Sequence, residues 1–211
     1  MALLGRLRPV TGQFVRIIAY PFAALRVNPN LFSLSAVPLA LAAAYFLSRA
    51  DFIPAFWLAA IACSVDLFDG AVARLQNRST LFGNYFEAMV DKVVELILFI
   101  GAAFIHPIAA ICALGFSMLA SYAKPRAALV IITDNRDWPA IGEHAERELL
   151  LLAGILLSIF GIGFGGMAAL EVFLWLIAAI TAVGSVQRIF YARKLIAEAE
   201  RKGGVLPYLK K

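Results

Sequence analysis

Long apolar runs separated by short polar breaks dominate this chain. They fall at about residues 31–47, 52–72, 84–105, 107–128, 148–164 and 170–191. Each approaches the roughly 20 residues that an α-helix needs to cross a bilayer. The second run is entered from Asp51 and interrupted by Asp66 and Asp69, and a short His106–Pro107 turn separates the third from the fourth. The fifth run ends in the glycine-rich Gly161–Gly166 stretch. The pattern predicts an all-α fold, a polytopic membrane protein with six transmembrane helices. Ahead of them, Phe14, Ile17, Ile18, Phe22 and Leu25 recur near helical spacing with Arg6, Arg8, Arg16 and Arg26 among them. That mixture predicts an N-terminal interfacial amphipathic helix. Pro9 and Pro21 are expected to break or bend it, and a disordered basic leader is the competing reading. The expected organisation is an interfacial segment over 1–30, a six-helix transmembrane domain over 31–191 and a basic tail over 192–211.

Composition strengthens the membrane reading. Hydrophobic residues make up 62% of the 211 positions and charged residues only 16%, where a soluble domain has about a quarter. Of the 19 Lys and Arg residues, all but Arg49 and Lys92 fall in one alternate set of loops and ends. Arg74, Arg78, Lys124, Arg126, Arg136, Arg147, Arg188, Lys210 and Lys211 are among them. Cytoplasmic loops carry such an excess, so both termini are expected in the cytoplasm, which requires an even number of spans. The first 30 residues contain no long apolar region between arginines, so a cleavable signal peptide is not expected. Cys63 and Cys112 lie inside apolar runs and read as small buried residues, not as a disulfide or metal site. Trp57, Trp138 and Trp175 read as interface or packing residues. No nucleic-acid partner is expected.

The carboxylates in the second and third runs change the picture. Asp66, Asp69, Glu87, Asp91 and Glu95 sit inside or beside apolar sequence, where an ionisable side chain costs at least about 2.5 kcal/mol. Asp66 and Asp69 are spaced i, i+3 and Glu87 and Asp91 i, i+4, so each pair shares a helix face. The connection at about 74–83 is centred near Arg78, so an antiparallel pairing matches Asp66 with Asp91 and Asp69 with Glu87 in depth. Four adjacent carboxylates require a counter-charge. Hard divalent cations supply it, and paired ions serve phosphoryl chemistry. Gly70, Ala71 and Ala73 leave one side of the helix bare, and Arg74 follows one turn after Gly70. Lys92 and Glu95, one turn apart, are expected to pair. A structural cluster neutralised by Lys92, Arg74 and Arg78 is one alternative, and a cation site in a transporter or channel is another. A position near one surface, and not at the midplane, favours an enzyme.

Taken together, Asp66, Asp69, Gly70, Ala73, Arg74, Gly83, Glu87 and Asp91 resemble the signature of the CDP-alcohol phosphotransferase family, D-x2-D-G-x2-A-R-x8-G-x3-D-x3-D. Every spacing matches, and Glu87 stands where the family has its third aspartate. The resemblance implies phospholipid biosynthesis: a phosphatidyl group passes from a CDP-linked lipid to the hydroxyl of a small polar alcohol, and CMP is released. It implies Mg2+ or Mn2+, two ions, held by Asp66, Asp69 and Glu87 with Asp91 sharing. It makes Asp91 the general base and Asp66, Asp69, Gly70, Ala73, Arg74 and Gly83 the CDP site. Glu87 is one methylene longer than Asp, which leaves a degenerate, inactive member as an alternative. Homodimers are common in the similar family.

Two fainter similarities add residues. Pro29, Asn30 and Ser33 resemble the family's entrance to its first helix, which adds Asn30 and Ser33 to the CDP site; a plain helix start is the other reading. The stretch from Ser121 to Ala127, with Glu146 and Arg147, resembles the segment bounding the acceptor pocket in members that use phosphorylated acceptors. Lys124, Arg126, His144 and Arg147 are the acceptor candidates it implies. The same basic residues also read as positive-inside anchors or lipid-headgroup contacts. Pro125 is expected to interrupt its element.

Overall fold

A computed structural model of the chain describes residues 8–131, 138 and 140–202. Arg6, Arg136, Lys210 and Lys211, used above to set orientation, lie outside the described residues. The described residues form helices α1 (Arg8–Ala24), α2 (Pro29–Leu34), α3 (Ala36–Ser48), α4 (Phe52–Leu75), α5 (Leu81–Ala103), α6 (Pro107–Ala128), α7 (His144–Ile159) and α8 (Ala169–Lys202). A two-residue hairpin, β1 (Gly163–Phe164) and β2 (Met167–Ala168), separates α7 from α8. The chain forms two compact units, one of residues 1–107 with 158–160 and the other of 108–157 with 161–211.

In the first unit, α3 packs on α4 and α5, while α1 and α2 pack on α4. The connections are short because the helices stop sharply. At the end of α3, Ala50 N–H donates to Leu47 O at 2.9 Å and Asp51 N–H to Phe46 O at 3.0 Å. At the end of α4, Asn77 N–H donates to Arg74 O at 3.1 Å and Arg78 N–H to Ala73 O at 2.9 Å. Both are paired 5→2 and 6→1 caps, with Ala50 and Asn77 in the left-handed region at φ 56° and 54°. Thr80 then opens α5, its Oγ1 accepting from Gly83 N–H at 2.9 Å. This five-residue connection, 76–80, is tighter than the loop at about 74–83 expected from the sequence.

Small residues let α3 and α5 approach closely. A Cβ built on Gly101 would stand 2.6 Å from Ala44 Cα and 2.8 Å from Ala44 Cβ. Gly101→Ala is therefore expected to force the helices apart at a cost of about 1–3 kcal/mol. In a thermal scan in detergent, the midpoint should fall by about 2–12 °C; an unchanged midpoint would contradict this packing.

The N-terminal helix forms, and Pro21 lies inside it without ending it. Pro21 sits in the last turn, so the missing N–H removes one hydrogen bond, while its carbonyl still accepts from Leu25 N–H at 3.0 Å. Ala19 buries against Ala71 and Val72, flanked by Val15 and Leu75, and Ile17, Tyr20 and Leu25 remain exposed.

In the second unit, α6 continues through Pro125 to Ala128, again because the proline falls in the last turn and breaks only a terminal bond. The expected fifth helix ends earlier than the apolar run suggests. Gly161, Gly165 and Gly166 take positive φ, and Gly165–Gly166 closes a two-residue hairpin of the kind that demands glycine. Helix α8 runs on into the basic segment from residue 192, as far as Lys202. At 1.5 Å per residue, α8 is about 50 Å long, well beyond a hydrocarbon core of about 30 Å.

Among the described residues, four helical stretches are long and apolar enough to cross a membrane: Pro29–Ser48, Phe52–Leu75, Pro107–Ala128 and Ala169–Lys202. The first joins α2 and α3. Helix α5 carries Glu87, Asp91, Lys92 and Glu95 within its apolar length, and α7 has 16 residues. Cys63 is buried and Cys112 half-buried, and the two form no disulfide. Trp138 is buried against Tyr191, with ring centroids 5.3 Å apart, whereas Trp57 and Trp175 are exposed.

Candidate active site and metal centre

The antiparallel pairing of α4 and α5 brings the carboxylates together. One oxygen each from Asp66, Asp69 and Glu87 lies within 4.8 Å of the others, and an oxygen of Asp91 lies within 4.8 Å of one from Asp66. Ionised together at that distance, neighbouring carboxylates repel by about 3 kcal/mol per pair at an effective dielectric of 20. The donors are all hard oxygens, the set that suits Mg2+, Mn2+ or Ca2+ and not a soft metal.

Asp69 is the most enclosed of the four, at 3% exposure. Its two oxygens are separately held. Ser33 Oγ donates to Oδ2 at 2.6 Å, and Gly70 N–H donates to Oδ1 at 2.5 Å. Ser33 comes from α2, whose start is set by Asn28 accepting from Asn30 N–H at 3.0 Å. The family-like entrance at Pro29–Ser33 thus reaches the carboxylate cluster directly. Ser33→Ala should remove this orienting bond and weaken divalent-metal affinity about tenfold or more. Metal titration by calorimetry checks this, and an unchanged affinity would reduce Ser33 to a packing residue.

The glycines clear space at the same place. A Cβ on Gly70 would stand 3.2 Å from Arg74 Nη1 and 3.7 Å from both Glu87 oxygens. The bare backbone of α4 therefore faces a gap with a guanidinium on one side and a carboxylate on the other. A Cβ on Gly83 would stand 3.0 Å from Thr80 Oγ1 and 3.5 Å from Asn30 Oδ1, so Asn30 borders the first turn of α5. About two and a half turns further along α5, Lys92 Nζ pairs with buried Glu95 at 2.7 Å.

A second polar cluster lies within the second unit. Arg147 on α7 is 2% exposed. Its Nη1 donates to Gly142 O at 2.7 Å and its Nη2 to Ser121 Oγ at 3.3 Å. Gly142 takes φ 76°, which aims its carbonyl at the guanidinium. Glu146 accepts from the N–H groups of Gly142 and Glu143 at 2.8 and 3.1 Å, the return half of a capping box that opens α7. Arg188 on α8 donates to Ala120 O through Nη1 and feels Arg147, Glu143 and Glu146 electrostatically. Its Nε is buried with no hydrogen-bond partner among the described residues.

Of the acceptor candidates, the structure puts Arg147 in this cluster beside Ser121. His144 opens α7 and pairs with Glu148 at 3.2 Å. Arg126 is exposed on another face of α6, lining a groove toward α8. Arg188, one of the orientation charges in the sequence, joins this cluster as well. Its place inside the apolar run at 170–191 was the available signal, since an ionisable residue there is expensive to insert.

The fold and the carboxylate cluster define a helical membrane protein with a divalent-metal type of donor set. The chain belongs to the CDP-alcohol phosphatidyltransferase family, whose profile matches residues 26–184. It is therefore a membrane transferase of phospholipid biosynthesis. It is 30% identical over 158 residues to an archaetidylinositol phosphate synthase of Methanothermobacter thermautotrophicus, covering 74% of this chain and 78% of that one. It is 31% identical over 182 residues to a phosphatidylinositol phosphate synthase of Corynebacterium glutamicum, covering 81% and 80%. Its fold matches the phosphatidylinositol phosphate synthase of Mycobacterium tuberculosis solved with CDP-DAG bound, at a TM-score of 0.69 and 24% identity over 85% of this chain and 94% of that one. The same enzyme in complex with manganese and citrate matches at 0.69 and 23%, over 85% and 88%.

Proposed function

We propose that this enzyme transfers a phosphatidyl group from a CDP-linked lipid to the hydroxyl of a phosphorylated polyol of the inositol phosphate class. The observation that carries the acceptor class is a pair of guanidiniums in one cluster: Arg147, buried and held by Gly142 and Ser121, and half-buried Arg188, whose buried Nε has no hydrogen-bond partner among the described residues. Two neighbouring guanidiniums, one buried and one half-buried, suit a phosphate dianion and would gain less from an uncharged alcohol or an amine. The names of the inositol phosphate synthases among its relatives agree.

On this reading, Asp66, Asp69 and Glu87 hold divalent cations, Mg2+ or Mn2+ and two in number, with Asp91 sharing; the relative solved with manganese supports this. Bound cations supply the positive charge that the substrate's pyrophosphate needs. Asp91 takes the proton from the acceptor hydroxyl. That oxygen forms a bond to the lipid-side phosphorus as the bond to CMP breaks, and CMP leaves with its phosphate beside Arg74. The gap at Gly70 and Ala73 receives the CDP group, with Gly83, Asn30 and Ser33 at its edge. Glu87 ligates in place of the family's aspartate, with its oxygens about 1 Å displaced by the extra methylene.

The same reading completes the membrane layout. Helices α5 and α7 join the four apolar stretches to make six spans. Both termini and the site face the cytoplasm, as the Lys and Arg distribution requires. Residues 1–30 lie in the interface, and the basic segment from 192 lies in the cytoplasm. Homodimerisation follows the pattern of similar family members.

The test is CMP release by purified protein from CDP-diacylglycerol, with a parallel CDP-linked ether lipid. Acceptors would be inositol phosphate, glycerol 3-phosphate, inositol, serine and choline. Release is expected with Mg2+ or Mn2+ and a phosphorylated acceptor, and it should stop with a chelator. Release with serine or inositol alone would overturn the acceptor assignment. Loss in wild type with recovery in Glu87→Asp would show a degenerate member. Cation flux in liposomes without CMP release would favour a transporter.

A further inference from the structure

A groove of about 640 Å³ runs between α6 and α8 within the second unit, outside the residues assigned to catalysis. We propose that it binds one anionic phospholipid as a bound membrane component. Its floor exists because alanines occupy the seam: Ala123 and Ala127 on α6, Ala192 and Ala197 on α8. Larger apolar side chains form the walls, including Leu119 and Ile189, both exposed. The volume falls in the range of about 300–1,000 Å³ typical of built ligand sites.

Charge and depth select the occupant. Arg126 and Arg193 face the groove from opposite helices, and both are exposed. Arg126 is in the last turn of α6, where an apolar span ends. Arg193 lies about 36 Å along α8 from its start at 1.5 Å per residue, just past a hydrocarbon core of about 30 Å. The two guanidiniums are therefore at headgroup depth, while Leu119 and Ile189 lie deeper. An acyl chain fits along the deeper walls and a phosphodiester at the two arginines. Glu200 lines the outer end and disfavours a second negative group there. A zwitterionic lipid would gain less, because its own cation offsets its phosphate.

Native mass spectrometry of the full chain in detergent, titrated with phosphatidylglycerol or phosphatidylcholine, tests this. Wild type should retain one phosphatidylglycerol and bind it in clear preference to phosphatidylcholine. Arg126→Gln with Arg193→Gln should weaken phosphatidylglycerol about tenfold or more and leave phosphatidylcholine unchanged. Ala192→Trp, which fills the floor, should reduce both. A photo-crosslinking phosphatidylglycerol on wild type, which needs no variant, should label peptides spanning 119–130 and 185–197. Equal affinity for the two lipids, labelling elsewhere only, or efficient disulfide linking of two Ile189→Cys chains would overturn the proposal. The last result would assign the groove to a second copy.

Discussion

Asp91→Asn is expected to lower acceptor-dependent CMP release by about three orders of magnitude, with binding of the CDP-linked lipid close to wild type. Asparagine keeps the shape of the side chain and removes its basicity. Base catalysis of this kind contributes about 10²–10⁴ in rate. The substitution also removes one negative charge next to Asp66, whose oxygen lies within 4.8 Å of that of Asp91. Metal affinity should therefore fall by less than the rate does. The two effects separate by measuring CMP release against metal concentration. If saturating metal restores the rate, Asp91 serves the cation site and the proton goes elsewhere. If the rate stays low at every metal concentration, Asp91 is the base.

Removing the second cluster should produce the other large effect. Arg188→Gln is expected to reduce kcat/KM for a phosphorylated acceptor about a hundredfold, by raising KM more than it lowers kcat. Loss of a charge-assisted hydrogen bond to phosphate costs about 1.5–3 kcal/mol. KM for the CDP-linked lipid should stay near wild type, because the proposed role of Arg188 is to bind the acceptor. Arg147→Lys should also weaken acceptor binding, since lysine cannot span both Gly142 O and Ser121 Oγ. Arg147 is almost wholly buried, so its variant needs a thermal scan beside the kinetics. Arg188→Gln carries the test where Arg147→Lys proves unstable. Equal losses for phosphorylated and unphosphorylated acceptors would show that the pair supports the fold and does not read the phosphate.

Much of this enzyme is written locally. Apolar runs encode helices because burying backbone in lipid leaves the helix as the open solution for a single segment, and α6 matches its expected limits of 107–128. The carboxylate cluster was legible because its parts lie on two consecutive helices joined by a short turn. Spacing along each helix and distance from the turn determine which residues meet. Lys92 and Glu95 paired as their spacing implied. The prolines misled, because the chemistry of Pro21 and Pro125 is local but its cost depends on how near each lies to a helix end.

What only the tertiary structure decided involves partners far apart in sequence. Ser33 reaches Asp69 across 36 residues, and Arg147 reaches Ser121 across 26. No spacing rule links such pairs, since their contact depends on which helices pack side by side. The faces of α6 were likewise unresolved until α8 was in place. Packing put Ser121 beside Arg147 and left Arg126 on a groove, although five residues separate them in the chain. The sequence by itself determined which segments become helices and which neighbouring pair carries the acidic cluster. The packing of distant helices decided that Arg147 is buried beside Ser121 while Arg126 lines a groove, because that choice rests on contacts no local pattern encodes.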